Sequence, residues 1–79
     1  MIWIIVCKDK VGSLSRRMAV IEEHRKYLST NPIKTLLSGP LTDFEGETMN
    51  GSFFMVEADE ISEIHQFQQN DPLYHANVW

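Results

Sequence analysis

The chain opens Met1-Ile2-Trp3-Ile4-Ile5-Val6-Cys7, and these residues set the architecture. The run is β-branched, aromatic and continuous, which predicts a strand. Alternation places Ile2, Ile4 and Val6 on one face and Trp3, Ile5 and Cys7 on the other. Both faces are apolar, so both require cover. A single layer of helices covers one of them. The other requires a second sheet, which a chain of 79 residues obtains most readily from a partner subunit. The run is too short for a membrane span, lacks a basic leader and passes directly into Lys8-Asp9-Lys10. A cytoplasmic protein without membrane contact is the expectation.

Beyond this strand, Asp9 to Ser13 reads as a turn, with Ser13 or Ser15 able to cap a following helix. Leu14, Met18, Ile21 and Leu28 recur at helical period and predict an amphipathic helix over Arg16 to Leu28. His24 falls on the shoulder of that stripe, three residues after Ile21 and four before Leu28. Arg25 falls near its middle and is expected to extend toward water. Asn31-Pro32 stops the helix. Ile33 to Ser38 predicts a second strand ended by Gly39-Pro40. Leu41 to Gly51 reads as a mobile polar loop, and Ser52 to Glu57 as a third strand, apolar on both faces. Asp59 can cap a second helix through Ile61, Ile64 and Phe67, broken at Asn70-Asp71-Pro72. Leu73 to Trp79 reads as one helical turn followed by the start of another strand.

The order strand, helix, strand, strand, helix is an α+β, ferredoxin-like βαββα(β) unit with an antiparallel sheet and its last strand absent or truncated. One domain spanning residues 1–79 is expected. In this topology the fourth strand flanks the first, so the opening strand is left with a free edge.

Size and charge narrow the function classes. A domain this small has a marginal core and normally needs disulfides, a metal or oligomerisation. A single cysteine excludes an intrachain disulfide, and no pair among Cys7, His24, His65 and His75 has a recognised metal spacing. No metal or other cofactor is expected, and oligomerisation is the favoured remedy. The net charge of −4 argues against a nucleic-acid partner. Arg16-Arg17 and Arg25-Lys26 read as the solvated face of the first helix.

With these elements in place, the chain resembles the YciI-like (YCII-related) family of dimeric α/β-barrel proteins. The match is carried by the opening strand with Lys8-Asp9-Lys10, by Ser13-Leu14 and Arg17, and by His24 followed by Leu28. Leu37-Ser38-Gly39-Pro40-Leu41 and Asn70-Asp71-Pro72-Leu73-Tyr74 complete it, the last stretch being like the family's "DDPY" sequence. Two departures stand out. Ile21-Glu22-Glu23 occupies the place of the family's Arg-Pro-Ala, and Arg25 stands where an apolar residue usually follows the histidine.

The resemblance implies a homodimer whose sheets pack face to face, and a pocket holding a His–Asp pair, here His24 and Asp71. Ser38, Gly39 and Pro40 would line it for a small-molecule substrate, with Tyr74 closing it. Some members of the wider family act on hydroxylated cyclic or aromatic compounds, including a dehydrochlorinase. The implied chemistry is lyase- or isomerase-type proton transfer by the histidine, oriented by the carboxylate. Each residue also has a purely structural reading. His24 can be a half-buried histidine bonded to backbone, Asp71 a helix cap, and Ser38-Gly39-Pro40 a turn. Cys7 reads as an inert core residue rather than a nucleophile. The alternative function is a non-catalytic dimeric module that binds a small ligand or a protein partner.

Overall fold

The computed structural model describes residues 1–79 as six elements: β1 (Ile2–Lys8), α1 (Leu14–Ser29), β2 (Lys34–Thr42), β3 (Met49–Glu57), α2 (Ile61–Gln69) and α3 (Pro72–His75). The strands form one antiparallel sheet in the order β1-β3-β2. This is the ferredoxin-like arrangement without its fourth strand, and it leaves β1 at an edge. No helix is long and apolar enough to cross a membrane.

The alternation read in β1 is realised. Ile5 and Cys7 are buried against the helices, while Ile2, Ile4 and Val6 stand 51, 55 and 54 % exposed on the opposite face. The core joins Ile5, Cys7, Phe54 and Val56 of the sheet to Ala58 and to Ile64 and Phe67 of α2, with Tyr27 and Leu28 of α1 packed against them. Phe54 is the centre of this cluster, meeting the Phe67 ring edge-on at 5.1 Å. Burying such a side chain contributes roughly 1.5–3 kcal/mol. Tyr27 closes the α1–α2 contact by stacking on Phe67 and donating its hydroxyl to the Phe67 carbonyl.

Several boundaries differ from the sequence reading. β2 continues through Gly39-Pro40 to Thr42 and does not end at Ser38. Proline is tolerated because β2 is an edge strand, where a missing amide donor is least costly. β3 begins at Met49, three residues before Ser52, so the polar loop contracts to a hairpin turn. Asp43 organises that turn by accepting from the Glu47 and Thr48 amides, and Gly46 takes the left-handed conformation at φ 75°. These hydrogen bonds hold the Asp43 carboxyl below the usual carboxylate range. Ser13 occupies the N-cap position of α1 without a side-chain capping bond. At α2 the cap is Glu60 rather than Asp59, and Glu63 reaches back to accept both their amides.

The C-terminal segment forms α3 and then no strand. Asn77 turns the chain at φ 62°, and Val78 folds back to accept the Lys10 amide and donate to the Leu73 carbonyl. This return ties the end of the chain to the turn between β1 and α1.

The buried stripe of α1 also differs. Its members are Arg17, Ile21 and His24, spaced three and four apart. Met18 and Arg25 fall outside it and are exposed. Arg25 extends to water and pairs with Glu22 one turn earlier. Arg17 and His24, polar side chains with dedicated partners, therefore share with Ile21 the inward face of this helix.

Candidate functional site

α1, β2 and β3 enclose a cleft of about 180 Å³. Its apolar wall includes Ile21, Leu28 and Phe54. The extension of β2 past Ser38 matters here. Ser38 lies opposite Phe54 and Pro40 opposite Ser52, so both side chains share the helix-facing side of the sheet. Ser38, Gly39 and Pro40 thereby line the cleft together with His24. They do so as part of a strand and not as a turn.

His24 is 7 % exposed, and its Nδ1 lies 2.8 and 2.9 Å from the two carboxylate oxygens of Asp71, which is fully buried. Asp71 is also the N-cap of α3, accepting the Leu73 amide at 2.8 Å, with Pro72 at the first helical position where its lost donor is harmless. The capping role and the histidine contact are thus held by one carboxylate. A carboxylate only accepts, so the neutral imidazole carries its proton on Nδ1. Nε2 then has a lone pair and makes no hydrogen bond within the chain. The Trp79 and His24 rings meet nearly perpendicular, with centroids 6.2 Å apart. What this arrangement offers chemically is an acceptor of fixed orientation that can take up or return one proton.

A second polar cluster reaches the same cleft through Arg17 and Ser52, and the sequence reading missed it. Arg17, assigned to the solvated helix face, is buried. Its Nη1 donates to both Asp9 oxygens at 3.0 and 3.2 Å, and its Nη2 donates to Ser52 Oγ at 3.0 Å. Burial pushes the Asp9 carboxyl up, against the pull of the Arg17 charge. The available signal was position, since Arg17 is three residues after Leu14 and four before Ile21. Its partners are 8 and 35 residues distant, and no local pattern names them.

Tyr74 is not part of this cleft. The Asp71 cap directs Leu73 into the core and leaves Tyr74 exposed, beside a separate hollow with Cys7, His65, Gln68 and Trp79. Cys7 accepts a hydrogen bond from Gln68, and burial pushes its thiol pKa up.

No curated protein matches the chain. Among solved structures, it is similar to 5-chloro-2-hydroxyhydroquinone dehydrochlorinase (TftG) from Burkholderia phenoliruptrix AC1100, determined in complex with 2,5-dihydroxybenzoquinone. The two are 34 % identical with a TM-score of 0.86, over 99 % of this chain and 84 % of that one. The model of the YCII-related domain matches residues 1–79. With its fold and sequence agreeing over that whole span, the chain belongs to the YCII-related family.

Proposed function

We propose that the protein is a small-molecule enzyme that transfers a proton on hydroxylated cyclic or aromatic compounds, in a lyase- or isomerase-type reaction. His24 is the general acid and base, Asp71 orients it, and Ser38, Gly39 and Pro40 bound the substrate. The observation that carries this reading is the buried Nδ1–carboxylate contact, which leaves Nε2 without a partner on a residue that lines a cleft. Such a pair fixes the tautomer and supports the imidazolium that forms when the ring takes a proton. The dehydrochlorinase similarity supports the substrate class.

The test is a panel of hydroxyquinols and chlorinated hydroxyquinols, followed optically and by chloride release, with wild type and His24→Ala. Turnover that disappears in the variant supports the assignment. Binding without turnover, unaffected by His24→Ala, would favour a non-catalytic binding module.

The exposed sheet face carries a second reading, of assembly. Ile2, Ile4, Val6 and Leu37 are exposed there, beside half-buried Phe53 and Met55. A contiguous apolar surface on a small domain marks a contact. The occupant is a second copy packed sheet to sheet, which places one cleft on each outer side of a homodimer.

A further inference from the structure

One charged side chain of the cleft has no part in the proton-transfer reading. Arg25 follows His24 directly, and consecutive residues of a helix project about 100° apart around its axis. Both nevertheless line the cleft, together with Ile21 and Leu28 of the same helix. By that spacing Ile21 and Leu28 fall between them, so His24 and Arg25 stand on opposite flanks of an apolar strip. His24 is buried and turned to Asp71, whereas the Arg25 side chain is 60 % exposed. The cleft thus has a proton acceptor in its depth and a guanidinium at its rim.

That guanidinium is only partly engaged. Its one hydrogen bond within the chain runs from Nη1 to Glu22 Oε1 at 2.7 Å. Nε and Nη2, an edge that grips a carboxylate through two parallel bonds, have no partner in the chain. Glu22 is itself exposed and lies outside the lining of the cleft. An exposed pair one turn apart is weak and readily exchanged. The other arginine of the lining, Arg17, is buried and committed to Asp9. No aspartate or glutamate lines the cleft to compete for an incoming anion, although the chain has 11 acidic against 7 basic side chains.

Volume limits what can lie between the two flanks. An apolar cavity of about 150 Å³ accepts benzene. At about 180 Å³, this cleft holds a single ring with small substituents. A ring lying on the Ile21–Leu28 strip has one side toward His24 and the other toward Arg25.

We propose that Arg25 is a specificity-determining residue that binds a carboxylate carried by the substrate, so that the preferred substrates are hydroxylated aromatic acids and not uncharged hydroxyquinols. This rests on the proton-transfer reading of the same cleft. The ring hydroxyl faces His24, and the carboxylate takes the Nε–Nη2 edge of Arg25. Glu22 holds the guanidinium through Nη1 while the cleft is empty and competes weakly for it when substrate arrives.

The probes are 2,5-dihydroxybenzoate and its methyl ester, which differ in one charge and one methyl group, titrated calorimetrically near neutral pH and at low salt. Wild type should bind the acid at least about tenfold tighter than the ester. That ratio should shrink as salt is raised, because the contact is exposed. Arg25→Gln, a good helix former at an exposed helix position, should bring the ratio close to one. Arg25→Lys should keep part of it, as a point charge without the planar fork. Glu22→Gln removes the competing carboxylate and should enlarge it. Failure of wild type to bind either probe overturns the proposal, as does equal binding of the two or an undiminished ratio in a folded Arg25→Gln. Equal binding would leave the role of His24 standing. Turnover of hydroxyquinols intact in His24→Ala would remove the proton-transfer reading instead, and is measured independently of the ratio.

Discussion

His24 and Asp71, 47 residues apart in the chain, meet through Nδ1 and a fully buried carboxylate at 2.8 Å. The contact fixes which imidazole nitrogen bears the proton. In Asp71→Asn the α3 cap survives, because asparagine caps as well as aspartate, but the side chain no longer demands an Nδ1 proton. Nitrogen-15 spectra of the imidazole should show neutral His24 as the Nδ1–H tautomer in wild type and a mixture or the Nε2–H form in the variant. Proton-transfer turnover should fall by about 10²–10⁴-fold. Identical tautomers in the two folded proteins would remove the orienting role of Asp71.

Arg17 is a structural liability if its partners are lost. Arg17→Ala leaves the Asp9 carboxylate without its cation in a buried setting and should cost about 3–5 kcal/mol. Urea titration should show this as a lower midpoint. A change below about 0.5 kcal/mol, typical of an exposed helix position, would mean that Arg17 lies at the surface in solution.

Gly51 and Gly39 should respond oppositely to the same substitution. A Cβ at Gly51 would meet the Cys7 carbonyl oxygen at 2.6 Å and Leu41 Cδ1 at 2.8 Å, whereas one at Gly39 meets nothing within 4 Å. Gly51→Ala must push the neighbouring backbone and should destabilise by about 1–3 kcal/mol. Gly39→Ala should leave the unfolding temperature close to that of wild type. Equal unfolding temperatures for the two variants would contradict the packing described at Gly51.

Cys7 should behave as a core residue. Its thiol is buried, and that burial pushes its pKa up. Alkylation should be slow in the folded protein and fast in denaturant. The unfolded thiol ionises at its ordinary value of about 8.5, while the folded one keeps its proton. The folded state therefore binds more protons in this range, and stability should decline as pH rises through it. Cys7→Ser should flatten that decline. An unchanged slope would assign the decline to other groups.

The exposed sheet face makes a prediction of assembly. Sedimentation of the wild type should give a dimer at micromolar concentration, and Ile4→Asp should give a folded monomer. Ile4 lies opposite Met55 in register, so a carboxylate there would sit amid the apolar surface. A wild-type monomer at that concentration would leave the face without an occupant.

How far the sequence could be read depended on the range of the determining interactions. β1 was legible because alternation is local and both of its faces are apolar. The site pair was half legible. Asp71 before Pro72 announces a cap, and His24 stands at the margin of a helical stripe, but their meeting depends on how α3 packs on α1. Arg17 was misread because a charged residue on a helix is usually solvated, and its partners come from a turn and from β3. Gly39-Pro40 was misread because proline ordinarily ends a strand, and only the sheet order shows that this strand is an edge. Tyr74 was misplaced because a one-turn helix reverses direction within residues, sending Leu73 inward and its neighbour out.

The two edges of the sheet are not equivalent. β2 is interrupted by a bulge at Leu36 and by Pro40, which lacks an amide donor. β1 has neither a proline nor a register irregularity. A further strand can therefore add on one side only. Two copies that met along β1 would therefore present only the interrupted β2 edges to a next unit.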